Sequence, residues 1–409
     1  MTSPHPSSLR ILQVNATRIN TIGGLETVAE TLRDGLQRRG HVVTQAFLGD
    51  RFEQHTSALW EVHLAPPATR YKIPTLGSLL RISQSTARLF KLLWTVRPDV
   101  VHFNSVTWET AYFVALRPLF RYRLVVTAHG SDLLRPHWPV ARAILPYVLR
   151  RATAVTTVSD ALVTRATAIQ KGRGPDPILI LNGVNTTYWS PASTPPPHRR
   201  TIVSVGRLQH VKGHDVLVDA FAHVLKSVPD AKLILVGDGP ERGALMEQAT
   251  QLGIVTSINF AGSLEPAEIR EHLRNARVFA LPSRSEGLPV ALLEALATGT
   301  PAVASAVGGV PNVLATGGGY TVPPEDPRTL ADQLTVLLTD SKLATQVGKE
   351  AFQNAQNYSS DHVIDTYECV LKGQAIVRRE RPTPPPLSHP RPLQTSRRSS
   401  PLDRATHTA

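Results

Sequence analysis

The sequence predicts an α/β protein made of two parallel-sheet domains that face each other across a cleft. Three observations predict it. Short apolar runs alternate with helical patterns along most of the chain, a proline-rich stretch interrupts the series near its middle, and chemically capable side chains follow directly on several of the apolar runs. At 409 residues the chain is long enough for two or three cores.

The first half opens with a short buried strand at 10–15 (RILQVN), a loop carrying Gly23 and Gly24, and an amphipathic helix over 25–39. Strands are expected at 41–48, 60–65, 99–103, 123–128, 155–158 and 178–181, with 75–96 largely helical. RLVVTA at 123–128 is apolar almost throughout, as in a parallel strand covered on both faces. The prolines and small polar residues of 182–200 mark a linker between domains at 10–181 and 201–358. The second series places strands at 201–205, 232–236, 258–260, 278–281 and 302–305. Helices follow Gly213, begin at Glu241, and cover 265–275 and 289–297. Segments 326–338, 342–356 and 359–372 also read as helices. The leader 1–9 and the Pro-, Ser- and Arg-rich tail 373–409 read as disordered.

A net charge of +12 and a pI near 10.1 suggest an acidic partner. No zinc finger and no basic run interleaved with aromatics is present, so nucleic acid is not the expected one. After Gly373 seven arginines stand against Glu380 and Asp403, and seven minus two leaves +5 in the tail. With RPLFRYR at 117–123, this prompts the expectation of loose attachment to an anionic membrane surface. The one cysteine, Cys369, excludes an internal disulfide. The N-terminus lacks the apolar core of a secretory signal, and no run approaches ~18 apolar residues. The expectation is a cytoplasmic protein, peripheral on the inner face of the membrane if attached at all.

The stretch 282–299, PSRSEGLPVALLEALATG, carries the strongest chemical signal. Glu286 belongs to a loop that runs through Gly287, Leu288 and Pro289 into a helix, with proline at its first position. Every residue of 289–297 except Glu294 is apolar, so that carboxylate is buried and needs either a structural cation or ligand hydroxyls. A helix N-terminus approached through glycine suits a phosphate. Arg207 and Lys212 follow the strand at 201–205, where a guanidinium fork and an ammonium could neutralise a diphosphate. His129, in AHGSD at a strand end, could be a base, an electrostatic contact or a core residue. LVGDGPER at 235–242 misses the dinucleotide G-x-G-x-x-G spacing and is read as a tight turn. No D-x-D triplet and no zinc-ligand spacing occurs, so neither metal nor cofactor is expected.

Taken together, the ordered motifs resemble the retaining glycosyltransferases of family 4, with the two-Rossmann-domain GT-B fold. They are GGLE at 23–26, AHGSD, NGVN at 182–185, VGRLQHVKG at 205–213, LVGDGPE, FAGSL at 260–264, and SEGLPVALLEALATGTPAVAS with VGGVPNVL. The resemblance implies that Arg207 and Lys212 bind the donor diphosphate and that Glu294 binds ribose hydroxyls. Glu286 would hold the transferred sugar, helped by the amides after it, and Gly287, Leu288 and Pro289 would belong to the donor-binding loop. His129 would lie beside the anomeric carbon, and Gly23 and Gly24 would let the first loop approach the phosphates. Asp132 and Asn182 fall on the acceptor or sugar side, and the last helix crosses back to the first domain. The implied reaction is front-face transfer of a hexosyl group from a nucleotide-diphosphate sugar to a glycan, lipid-linked or small-molecule acceptor. The family often has histidine at Asn104, aspartate at Asn185 and glutamate at Asn312, which leaves the acceptor side open. A catalytically silent nucleotide-sugar or glycan binder is the alternative from another class. A phosphorylase-like enzyme would need a pyridoxal phosphate lysine and a longer chain.

Overall fold

Apolar runs of four to six residues are too short for stable helices and instead become strands stacked side by side. The computed structural model describes residues 8–16, 23–49, 51–65, 76–134, 141–193 and 200–375. Most of the leader, the tail from 376 and linker residues 194–199 lie outside the described residues. The first half runs β1 (Arg10–Asn15), α1 (Gly24–Arg38), β2 (Val42–Leu48), β3 (Glu53–Thr56), β4 (Leu59–Val62), α2 (Leu76–Val96) and β5 (Val100–Phe103). It continues with α3 (Thr110–Phe120), β6 (Arg123–Ala128), α4 (Ser131–Leu134), α5 (Ala141–Arg151), β7 (Ala154–Thr157), α6 (Asp160–Gln170) and β8 (Ile178–Leu179).

The second half runs β9 (Thr201–Val205), α7 (His214–Ser227), β10 (Lys232–Val236), α8 (Arg242–Gln251), β11 (Ile258–Gly262), α9 (Pro266–Asn275) and β12 (Val278–Leu281). Then come α10 (Val290–Ala297), β13 (Ala302–Ser305), α11 (Val310–Leu314), β14 (Gly319–Val322), α12 (Pro327–Thr339), α13 (Ser341–Ala355) and α14 (Ser360–Lys372). The sheets are ordered β3-β4-β2-β1-β5-β6-β7-β8 and β11-β10-β9-β12-β13-β14, parallel except at the β3/β4 edge. This is the two-sheet architecture read from the sequence.

One core cluster is continuous across both halves, from Leu12 and Phe103 through Val158 and Leu288 to Phe279 and Leu296. The chain crosses between the halves where Val184 N donates to Tyr358 O at 2.8 Å and Ser360 N donates to Val184 O at 2.9 Å. From there α14 returns to the first sheet and buries Ile364, Tyr367, Val370 and Leu371 against Ile11, Leu32 and Leu36. Gly35 makes this approach feasible, since a Cβ there would lie 2.2 Å from Ile364 Cδ1.

Several elements differ from the expectation. Pro289 is the N-cap of α10 rather than its first residue, because its ψ of 120° is extended. α3 and α5 were not anticipated; each holds an internal proline, Pro118 or Pro146, which reads as a breaker in sequence. β3 is polar and fully exposed, so nothing in its pattern announces a strand.

Candidate active site

In an open parallel sheet, ligands bind beyond the strand ends where the strand order reverses, because the loops there diverge and leave a crevice. In the second sheet that point lies between β9 and β12. The loop leaving β9 carries Arg207 and a 3-10 turn, His210–Lys212; the loop leaving β12 carries 282–289. Lys212 Nζ donates to Glu286 Oε1 at 2.7 Å, and Ser283 Oγ donates to the same oxygen at 2.7 Å. Arg207 is exposed at the same crevice edge, and its guanidinium makes no hydrogen bond or ion pair among the described residues.

Arg284 ties the two loops together. Its guanidinium forks onto Asp215 Oδ1 and Oδ2 at 2.8 and 2.7 Å, and its Nη1 also donates to His210 O at 2.6 Å. Its backbone N–H donates to Val211 O at 2.9 Å, and Glu325 lies on the guanidinium's other side. The Asp215 hydrogen bond holds Arg284 above its ordinary pKa despite desolvation. Gly213, at φ 65°, lets the turn touch the β12 loop, since a Cβ there would lie 2.2 Å from Pro282 O.

Glu294 occupies the second turn of α10, which is buried at every position but Ala291. Its side chain is 8% exposed, hydrogen-bonds to no described residue, and burial pushes its pKa up to about 7. Val290 shares its face, one turn nearer the cleft, and a Cβ on Gly24 would lie 3.6 Å from Val290 Cγ2. The glycine pair at the start of α1 therefore stands directly opposite the start of α10.

The first sheet supplies the other wall. Gly287 abuts the end of β6 so closely that a Cβ would lie 2.0 Å from His129 O. His129 Nε2 is buried without a partner among the described residues, and desolvation lowers the imidazole to about 4 against the pull of Asp132, so it is neutral at pH 7. Asp132 accepts hydrogen bonds from the backbone N–H groups of His129, Gly130, Leu133 and Val106. Asn182 Nδ2 donates to Leu288 O at 2.7 Å, bracing the SEGLP loop from the other half. Both carboxylate oxygens of Glu26, beside Gly23, are buried with no hydrogen bond among the described residues.

The profile for Glycosyltransferase Family 4 matches residues 22–188, and that for Glycosyl transferases group 1 matches 186–354. A D-inositol 3-phosphate glycosyltransferase of Corynebacterium aurimucosum is 31% identical over 302 residues, covering 66% of this chain and 70% of its own. The chain belongs to glycosyltransferase family 4. The N-acetyl-alpha-D-glucosaminyl L-malate synthase of Bacillus anthracis is 24% identical across 88% of this glycosyltransferase and 96% of its own length. Anabaena HepE in complex with UDP shares the fold at TM-score 0.72 and 20% identity, covering 89% of this chain and 99% of that one.

In this glycosyltransferase, Lys212 and Glu286 touch, Arg207 is on the same loop as Lys212, and Glu294 is buried in α10, the helix that the Glu286 loop leads into. Asp132 accepts from the backbone of its own loop, and Asn182 Nδ2 is engaged with Leu288 O. Asn312 Nδ2 bonds Asp160 Oδ2 at 3.0 Å, Asn185 Oδ1 caps its own turn, and Asn104 Nδ2 donates to Asn15 Oδ1 at 2.7 Å. Sequence reasoning missed Ser283, Arg284 and Glu26. Ser283 and Arg284 had no periodic signal, whereas Glu26 stood within the quoted GGLE motif.

Proposed function

We propose that this glycosyltransferase transfers a hexosyl group, with retention and without a metal, from a nucleotide-diphosphate sugar to a glycan, lipid-linked or small-molecule acceptor. The observation that carries the donor assignment is the Lys212–Glu286 contact at the strand-order reversal, on the β9 loop that also carries the exposed Arg207. Arg207 and Lys212 take the diphosphate, and the ribose hydroxyls donate to Glu294. Glu286 and the amides that follow it hold the sugar hydroxyls. UDP in the HepE complex supports a nucleotide-sugar donor.

The bond between the anomeric carbon and the diphosphate oxygen breaks while the acceptor oxygen bonds to the same carbon from the same face. The acceptor proton passes to the departing phosphate oxygen. His129, neutral and with Nε2 unpartnered, offers a hydrogen bond to the sugar rather than a formal charge. Fixed cations meet the charge that develops on the leaving group, the form of catalysis that contributes most. No described helix is long and apolar enough to cross a membrane; a lipid-linked acceptor would be met at the cytoplasmic face.

Turnover of a panel of uridine, guanosine and adenosine diphosphate sugars tests the reading. The parent is expected to consume one of them, and Arg207→Ala and Glu294→Ala to lose at least about a hundredfold in kcat/KM, roughly 3 kcal/mol. Donor binding with no turnover on any acceptor would instead favour the silent binder.

A further inference from the structure

An arginine two residues before Glu286 invites reading as a third cation for the diphosphate, beside Arg207 and Lys212. The contacts of Arg284 exclude that role. A guanidinium carries five N–H bonds in a fixed plane, and all five of Arg284 meet acceptors inside the protein. Nη1 donates to His210 O at 2.6 Å and to Asp215 Oδ1 at 2.8 Å, and Nη2 donates to Asp215 Oδ2 at 2.7 Å and to Glu325 Oε2 at 3.0 Å. Nε pairs with Glu325 Oε1. Two carboxylates against one guanidinium also leave the cluster with no positive charge to offer a phosphate.

This staple joins three connections at the carboxyl ends of the second sheet's strands. Arg284 stands between β12 and α10, His210 and Asp215 stand where β9 turns into α7, and Glu325 stands between β14 and α12. The Arg284 backbone N–H adds a bond to Val211 O at 2.9 Å, so the residue before Lys212 is fixed to the loop that carries Glu286. Lys212 Nζ and Glu286 Oε1 meet just beyond, 2.7 Å apart. Glu325 is kept at φ 60°, a backbone region that most L side chains enter at a cost. Its side chain is 54% exposed, where an ion pair adds little to stability. What the pair secures is the direction of the Arg284 fork.

We propose that Arg284 is a positioning residue of the donor site: it locks the β9, β12 and β14 connections so that Lys212 and Glu286 keep their mutual place, and it gives no hydrogen bond to the donor. The role rests on the diphosphate reading of the β9/β12 crevice. Lysine cannot take it over, because an ammonium has three donors and no planar fork to span Asp215 and Glu325.

Calorimetric titration with matched uridine, guanosine and adenosine mono- and diphosphates tests the role, with thermal melting as the check on folding. The parent prefers one diphosphate over its monophosphate by at least about tenfold. Arg284→Lys lowers that preference about fivefold. In a Lys212→Ala background, where Arg207 keeps part of the preference, the same substitution changes nothing further, since it acts through Lys212. Glu325→Gly melts with the parent, because glycine takes φ 60° freely and the pair it loses is half exposed, and it still lowers the preference about threefold. Parental preference in either Arg284→Lys or Glu325→Gly, or an Arg284→Lys loss as large without Lys212 as with it, would overturn the positioning role and leave the donor reading standing. A parent that prefers no diphosphate would overturn the donor reading and the role together.

Discussion

Glu294 shows how far one residue can be read before any coordinates are known. Its apolar neighbours on both sides in sequence required burial, and the structure buries it with no hydrogen-bonding partner among the described residues. The cost of that burial is visible in its pKa, raised to about 7 from 4.5. Because the folded state then binds the extra proton, stability is fully present below about 4.5 and is lost as pH rises through about 7. Glu294→Gln removes the ionisation. Urea unfolding at pH 5 and pH 8 should therefore give similar stabilities for parent and variant at pH 5, with the variant ahead at pH 8 by up to about 3 kcal/mol. Equal stabilities at both pH values would mean that the carboxylate has a partner in solution. Arg284 was not legible in the same way: its main partner, Asp215, is 69 positions away, and only the fold brings the two together.

The loops between strands and helices are the elements that build the site, and their glycines record how tightly they meet. Gly287 lies against the His129 carbonyl from the other half of the molecule. Gly287→Ala is expected to push the two loops apart, lowering kcat/KM by at least about tenfold and also lowering the unfolding midpoint, because the clash is with backbone. An unchanged kcat/KM would show that this contact is not kept during turnover. The motif SEGLP was legible because glutamate, glycine and proline fall just where a strand hands over to a helix. α3 and α5 were not, because Pro118 and Pro146 mask helices whose stability comes from packing rather than propensity. The covered face of α2 was hidden for a related reason. The helix at 75–96 carries apolar residues on several sides, and only the placement of β4, β5 and α3 decides which of them are covered.

At the scale of the whole molecule, the alternation of strands and helices made the two-sheet architecture readable, and the proline-rich stretch after residue 181 suggested where the halves part. The continuous core across both halves was not readable, since it depends on Val158 and the Gly287 loop meeting through folding. The returning α14, locked into the groove over Gly35, ties the C-terminus to the first sheet while the second sheet carries the proposed donor site. The account as a whole depends on a diphosphate being gripped at the β9/β12 crevice. Calorimetric titration with matched nucleoside mono- and diphosphates, on the parent and on Arg207→Ala/Lys212→Ala, tests this most directly. The account predicts that the parent prefers one diphosphate over its monophosphate by at least about tenfold and that the double variant, still folded, loses the preference. A preference that survives in the double variant, or no binding of any uridine, guanosine or adenosine diphosphate to the parent, would contradict it.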